Sequence, residues 1–129
     1  MALKITLKPN EKLIVGGAVI TNGATKSAFR IENTVAILRE NSILTADEAD
    51  TPARRIYLTI QLMYVDPKQL QDHQTLYWQL VNEFIDAAPS SLALIDHINE
   101  LILSEKYYDA LKTTKALIEY EQEVIERVT

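Results

Sequence analysis

The chain of 129 residues has no cysteine, only three glycines and only two histidines, and these scarcities exclude several kinds of chemistry. Without cysteine there is no disulfide, no thiolate metal site and no cysteine nucleophile. Three glycines are too few for a dinucleotide-binding fingerprint or a phosphate-binding loop. His73 and His97 lie far apart without an ordered carboxylate motif, so a solvent-facing or capping role is favoured over a metal site. We therefore expect no catalytic residue, no metal and no cofactor.

The sequence also lacks long apolar runs. Nothing approaches the roughly 18 consecutive apolar residues of a membrane-spanning helix, and no apolar run follows a basic tip at the start. With 47% apolar and 24% charged residues, the chain can bury a core. We expect a cytoplasmic protein without a membrane segment.

The charges are distributed unevenly along the chain, although the net charge is −5. Residues 1–44 contain six lysines and arginines against three acids, a net charge of +3. Residues 45–129 contain seven against fifteen acids, a net charge of −8. Such asymmetry either indicates an interaction surface in the basic part or is a chance excess of three charges.

The first 44 residues have the patterns of short strands. In LKITLK, from Leu3 to Lys8, apolar and polar residues alternate with the period of a half-buried strand. Gly16-Gly17 indicates a bulge or a tight bend, and Asn22-Gly23 predicts a hairpin turn. SAFRIE and TVAILRE are two further strand candidates. These patterns predict four or five short antiparallel strands in a small sheet or open barrel.

From residue 45 the apolar spacing becomes helical. Thr45 and Glu48 fit a capping box, and Thr51 with Pro52 suits the start of a helix that ends near Val65. Three more helices are predicted, over about 68–87, 91–104 and 105–126. The acidic stretch EYEQEVIE in the last one is expected to be a solvated face.

The predicted fold is therefore α+β. Residues 1–44 form a basic, β-rich subdomain, and residues 45–129 form an acidic antiparallel bundle of about four helices, since their connections are short.

Binding is the function that these features favour, and the basic strands supply its first candidates. Lys4 and Lys8 share one face of the first strand because residues four apart point the same way. Arg30 and Arg39 supply planar donors suited to phosphate or base edges. We predict that these four residues contact phosphate groups of a nucleic acid, whereas Phe29 is expected in the core.

Arg54 and Arg55 lie where a helix is predicted to begin, a place where cations are unfavourable because the helix N-terminus has partial positive charge. One explanation is internal, since Asp50 lies one turn before Arg54 and other acids are near. The other is that the pair faces an anion outside the protein and extends the basic surface. Both explanations stay open.

Tyr107 and Tyr108 are adjacent and cannot both face inward on one helix. One of them is predicted to contact a protein partner. A protein-binding adaptor or chaperone that acts through the helices is therefore the alternative to a nucleic-acid-binding protein.

Four segments resemble a known family: EADTPARRIYLTIQLMYVD (48–66), LKITLKPNEKLIVGGAVITNG (3–23), AILRENSILT (36–45) and YYDALKTTKALIEYE (107–121). The family is FlbT, whose members regulate flagellum biosynthesis, and ADTPARRIY is the most specific piece. The resemblance implies a post-transcriptional regulator that acts on the 5′ untranslated region of flagellin mRNA, by repression or activation. It also implies work alongside the small flagellar protein FlaF and contact with flagellin, which would be the partners of an adaptor or chaperone. Under the resemblance, the nucleic acid is this RNA, and the residues expected to contact it are Lys4, Lys8, Arg30, Arg39, Arg54 and Arg55.

Residues 3–43 also show a weaker similarity, carried by NEKLIVGGAV and FRIENTVAILRENSI, to the carbon storage regulator family. Its members are intertwined dimers that bind leader RNA. Arg39 matches the arginine that ends the last strand of that family and Lys8 matches a basic position, but Leu7 stands where another basic residue is usual. A homodimer is one expectation, because pairing of two copies also covers exposed strand edges.

Overall fold

The structure, a computed structural model, describes residues 2–128 and the side chains of residues 2–127. The chain forms two compact units, one ending at Ile43 and the other beginning at Leu44. In this described part the first unit has five strands and the second has four α-helices, which confirms the α+β class. None of these helices combines the length and the apolar character needed to cross a membrane.

The strands of the first unit are short: β1 Leu3–Leu7, β2 Lys12–Val15, β3 Ala18–Thr21, β4 Ser27–Ile31 and β5 Ile37–Arg39. β1 pairs with β4, and β2 lies between β3 and β5 in a second sheet, all antiparallel. The alternation predicted for β1 is confirmed from Lys4 onward, because Ile5 and Leu7 are buried while Lys4 is exposed. Leu3, at the start of the strand, is exposed as well. Leu13 of β2 completes the core of this unit, and partly buried side chains that include Phe29 pack around it.

The hairpin turn is not at the dipeptide that the sequence favoured. Gly16 and Gly17 form the two-residue loop between β2 and β3, and Gly16 has a φ of 59°, which glycine adopts without strain. The hairpin predicted at Asn22-Gly23 is wrong, because β3 and β4 belong to different sheets. The side-chain amide of Asn22 instead donates to three backbone carbonyls, those of Leu7, Lys8 and Thr25.

The helices of the second unit are α1 Pro52–Val65, α2 Leu70–Ala87, α3 Leu92–Leu103 and α4 Tyr107–Val128. α1 packs against both α2 and α4, and α3 packs against α4. Ile56 and Ile60 of α1 are completely buried, as expected for a central helix that is apolar on most of its sides.

The local signals before α1 produce the predicted hydrogen bonds. The hydroxyl of Thr51 accepts from the backbone N–H of Arg54 at 3.2 Å, and Pro52 occupies the first turn. Upstream, Glu48 N–H donates to the Thr45 hydroxyl at 3.3 Å, and Thr45 N–H donates to the Glu48 carboxylate at 3.0 Å. This capping box closes an isolated turn rather than a helix. The Thr45 N–H and hydroxyl also hold the pKa of Glu48 below its usual value.

Candidate nucleic-acid interface

The β1–β4 ribbon places two cations directly opposite each other. Lys4 pairs with Arg30 in the antiparallel register, and both residues are exposed. Directly opposed side chains lie on the same face of the ribbon, where like charges repel. Glu32 lines the shallow depression beside them, but no ion pair among the described side chains includes either cation. Among the described residues, the two cations of this face therefore have no ion-pair partner.

A second basic feature is an open concavity of about 690 Å³ in the same unit. Three cations line it, Lys8, Lys26 and Arg39, together with the acids Glu11 and Glu40. Lys26 is not among the cations predicted from the sequence, because this residue lies in the loop between β3 and β4, where no alternation assigns it to a face. The structure thus divides the four predicted cations of the strands into two pairs, one on the ribbon and one in the concavity.

Arg39, at the end of β5, is oriented by two hydrogen bonds. Its Nη2 donates to the carbonyl of Thr6 at 2.8 Å and to the carboxylate of Glu11 at 3.2 Å. The side chain is still 46% exposed. Since both bonds use Nη2, the N–H groups of Nε and Nη1 have no partner among the described residues. The guanidinium is therefore fixed in position, and its Nε and Nη1 groups are available to donate hydrogen bonds to a ligand.

Glu11 is the acid that forms an ion pair with Arg39. Its carboxylate accepts from the backbone N–H of Lys8 at 2.9 Å as well as from Arg39. The Lys8 N–H, and after it the Arg39 guanidinium, holds the pKa of Glu11 below its usual value against the opposing effect of desolvation. Glu11 is therefore a carboxylate at neutral pH, and it neutralises part of the charge of Arg39.

Arg54 and Arg55 have different surroundings in the second unit. Arg54 donates from Nη1 to Asp50 at 2.9 Å, which is the internal ion pair considered from the sequence. Arg55 is exposed and makes no ion pair with any side chain that the structure describes. Glu121 of the EYEQEVIE stretch is buried rather than solvated, and it accepts a hydrogen bond from the N–H of Ala53. Contact of either arginine with RNA stays a prediction.

The two tyrosines at the start of α4 also differ. Tyr108 is 45% exposed. The centroid of its ring lies 6.1 Å from the ring centroid of Tyr64 and 5.6 Å from Lys112 Nζ. Tyr107 is half-buried, with a buried hydroxyl that has no hydrogen-bond partner in the described part of the chain. Tyr108 presents the larger surface, and a contact of either tyrosine with a partner stays a prediction.

Comparison with known proteins gives matches over nearly the whole chain. The family described as Flagellar protein FlbT matches residues 3–125. The chain is 46% identical over 125 residues to the probable flagellum biosynthesis repressor protein FlbT 1 of Bradyrhizobium diazoefficiens, covering 96% of this chain and 85% of that protein. It is 41% identical over 127 residues to a Rhodopseudomonas palustris protein described as a probable flagellum biosynthesis repressor protein FlbT, covering 98% and 100%.

A third relative is the flagellum biosynthesis repressor protein FlbT of Caulobacter vibrioides, 34% identical over 131 residues that cover 100% of this chain and 93% of that protein. No solved structure matches the chain, so the similarity to the carbon storage regulator family rests on sequence alone. The family match and the relatives agree with the resemblance that ADTPARRIY indicated. The chain belongs to the FlbT family of flagellar proteins.

Proposed function

We propose that this protein is a post-transcriptional regulator, not an enzyme, that binds the 5′ untranslated region of flagellin mRNA through the cations of its strand-rich unit. The main support is the pair formed by Lys4 and Arg30. Two exposed cations directly opposite each other are unfavourable in the isolated protein. They become favourable when a phosphate group neutralises them and releases its counterions. The descriptions of the relatives as flagellum biosynthesis repressors support a regulatory role in flagellar expression.

The concavity supplies the second part of this surface. The planar guanidinium of Arg39 is held in one orientation and can donate hydrogen bonds to a phosphate or a base edge. Lys8 and Lys26 add positive charge beside it. Phe29 packs against the core rather than offering a platform for base stacking. We therefore expect phosphate contacts to dominate the affinity, which makes the binding strongly dependent on salt.

Titration of the pure protein with labelled flagellin leader RNA, at several salt concentrations, tests this proposal. The double variant Lys4→Ser, Arg30→Ser removes the opposed cations from an exposed face and leaves the core intact. Each phosphate contact to a single strand contributes about −0.7 to the slope of the logarithm of the binding constant against the logarithm of the salt concentration. Loss of two contacts should therefore reduce the magnitude of this slope by about 1.4. The matched control is Lys68→Ser, Lys115→Ser, which removes the same charge from exposed positions of the second unit.

The control double variant should leave the slope unchanged. If both double variants weaken binding equally, the affinity depends on total charge and the assigned face is wrong. Arg39→Ala should weaken binding as well. Its fold is checked by circular dichroism, because Arg39 also bonds to the Thr6 carbonyl. If the affinity of Arg39→Ala for the RNA is unchanged, the concavity is not part of the interface.

The second candidate function is a protein-binding adaptor for flagellin or a FlaF-like partner, and the exposure of Tyr108 favours it. An exposed aromatic ring offers a large rigid contact area with a polar tip. In this case Tyr108→Ser weakens co-purification of the partner and leaves RNA affinity unchanged. A stoichiometric protein partner, with no binding to leader RNA, would decide for the adaptor.

A further inference from the structure

We propose that β3 is a docking edge for a second copy of this chain, so that the three-stranded sheets of two copies join strand to strand. β3 is an edge strand with β2 on one side. All four of its residues are exposed, including the large β-branched side chains of Val19 and Ile20. An exposed, largely apolar edge strand is a template for pairing with another strand.

The pairing of β3 with β2 shows which backbone groups point to the open edge. The N–H of Asn22, just after β3, donates to the carbonyl of Glu11 on the β2 side at 2.9 Å. Alternate residues of an antiparallel strand direct their N–H and C=O groups to the same neighbour. The even-numbered residues of β3 therefore bond to β2, and Val19 and Thr21 direct their N–H and C=O groups to the open edge.

A row of opposed apolar residues crosses this sheet and ends at the same edge. Ile14 of β2 lies opposite Leu38 of β5 on one side and opposite Val19 of β3 on the other. The exposed fraction rises along the row, from 0% at Leu38 through 7% at Ile14 to 67% at Val19. One more strand beside β3 would continue the row and cover the side chain of Val19.

The charges of the strands favour a second copy as the occupant of this edge. β3 has the sequence AVIT without a charged residue, whereas the edge strands β1, β4 and β5 contain Lys4, Arg30 and Arg39. A charged edge strand repels its own copy, and β3 does not. A symmetric pair also closes on itself and leaves no further β3 edge open.

The register of the pair follows from the outward groups. A twofold axis beside Ile20 places Val19 of each copy opposite Thr21 of the other, and Ile20 opposite its own counterpart. The outward N–H and C=O groups of both copies then meet and form about four backbone hydrogen bonds. The β-branched residues that face one another in this register are the types that pack well across strands.

Hydrogen exchange of the full chain, followed by NMR at low and high protein concentration without RNA, tests this inference. The amides of Val19 and Thr21 should be protected at high concentration and lose this protection on dilution. The amides of Ala18 and Ile20, which bond to β2, should stay protected at both concentrations. Sedimentation equilibrium of the same samples should show a monomer of 14.6 kDa in equilibrium with a species of twice that mass.

Two variants change the open edge of β3 and leave its backbone hydrogen bonds to β2 in place. Thr21→Pro removes one outward N–H, and Val19→Lys places a charge on the edge. Each should weaken self-association by about tenfold or more, which corresponds to roughly 1.4 kcal/mol. Val19→Thr retains a β-branched, uncharged residue and is the matched control, which should still dimerise. Circular dichroism checks that all three variants are folded.

Several results would overturn the inference. A monomer at every concentration does so, and so does protection of the Val19 amide that does not depend on concentration, since a segment of the same chain then covers the edge. Because the self-association is measured without RNA, these results are independent of the proposed regulatory function.

Discussion

The carboxylate of Glu121, near the end of α4, accepts a 2.8 Å hydrogen bond from the backbone N–H of Ala53 in the first turn of α1. One of the unpaired donors of this helix start is thereby satisfied by a buried acid 68 residues away. The negative charge also offsets the partial positive charge of the helix end. The adjacent Arg54 and Arg55 are therefore tolerated at a position that is unfavourable for cations.

Glu121→Ala should lower the free energy of unfolding by about 2 kcal/mol, because it leaves the buried N–H of Ala53 unpaired. Glu121→Gln retains an acceptor and loses only the charge, so it should cost about 1 kcal/mol or less. Urea unfolding followed by circular dichroism measures both changes. The control is Glu119→Ala, an exposed position of the same helix. Stability of Glu121→Ala equal to that of the control would contradict this role.

The start of α1 shows which part of the fold the sequence predicts and which part it does not. The bonds of Thr51 and of the Thr45–Glu48 box join residues three apart, so short-range patterns predict them. The bond from Ala53 to Glu121 depends on how α4 packs against α1. In the sequence, Glu121 is one acid among several in EYEQEVIE, and no local pattern distinguishes it from its solvated neighbours.

The strand-rich unit shows the same limit for the candidate site. Alternation correctly predicts that Lys4 is exposed, but the choice of Arg30 as its opposite residue depends on which strands pair. The Asn22-Gly23 dipeptide has the stronger local turn signal, yet the loop of Gly16 and Gly17 forms the hairpin, because β4 pairs with β1 rather than with β3. Short-range sequence patterns do not predict which distant strands pair with each other.

The buried Tyr77 should make the stability of the helical unit sensitive to alkaline pH. Its hydroxyl donates to Asn99 Oδ1 at 2.6 Å, and burial raises the pKa of Tyr77 well above its usual range. Since the unfolded chain has the usual tyrosine pKa of about 10, the stability that depends on the neutral hydroxyl is fully present below that pH. It is lost as pH rises further, because the unfolded state then releases its proton first.

Tyr77→Phe should therefore reduce the loss of unfolding free energy above pH ~10, as measured by urea unfolding across a pH series. At neutral pH the same variant should be less stable by about 1 kcal/mol, because Asn99 loses its partner. Tyr108→Phe, on an exposed ring, is the control and should leave the pH dependence unchanged. An equally steep alkaline loss in Tyr77→Phe and in the unchanged protein would contradict the assignment.

The ion pair of Arg54 with Asp50 should contribute little to stability, although its nitrogen and oxygen are only 2.9 Å apart. Both side chains are partly exposed, and an exposed pair one turn apart stabilises a helix by about 0.5 kcal/mol or less. Arg54→Ala should therefore change the free energy of unfolding by no more than that amount. Thr51→Ala removes the N-cap hydroxyl and should cost about 1 kcal/mol. The reverse order would show that Arg54, not the cap, stabilises this helix start.

Glu11→Gln should strengthen the binding of flagellin leader RNA, because it removes the negative charge that bonds to Arg39. The amide oxygen of glutamine can still accept from the Lys8 N–H, so the local fold should persist. We expect about a threefold gain at low salt, shrinking as salt screens the removed charge. The control is Glu119→Gln in the helical unit, which should leave the affinity unchanged.

Acidification should reproduce this effect in the unchanged protein, but only at unusually low pH. The Lys8 N–H and Arg39 hold the pKa of Glu11 below its usual value, so the carboxylate persists until the pH falls through that lowered pKa. Whatever stability the carboxylate contributes is fully present above its unfolded pKa and is lost over the same fall in pH. Glu11→Gln should abolish the part of the pH dependence of RNA affinity that arises from this carboxylate. If Glu11→Gln folds normally and binds RNA no more tightly, Arg39 does not face the RNA, and the interface is confined to the ribbon of Lys4 and Arg30.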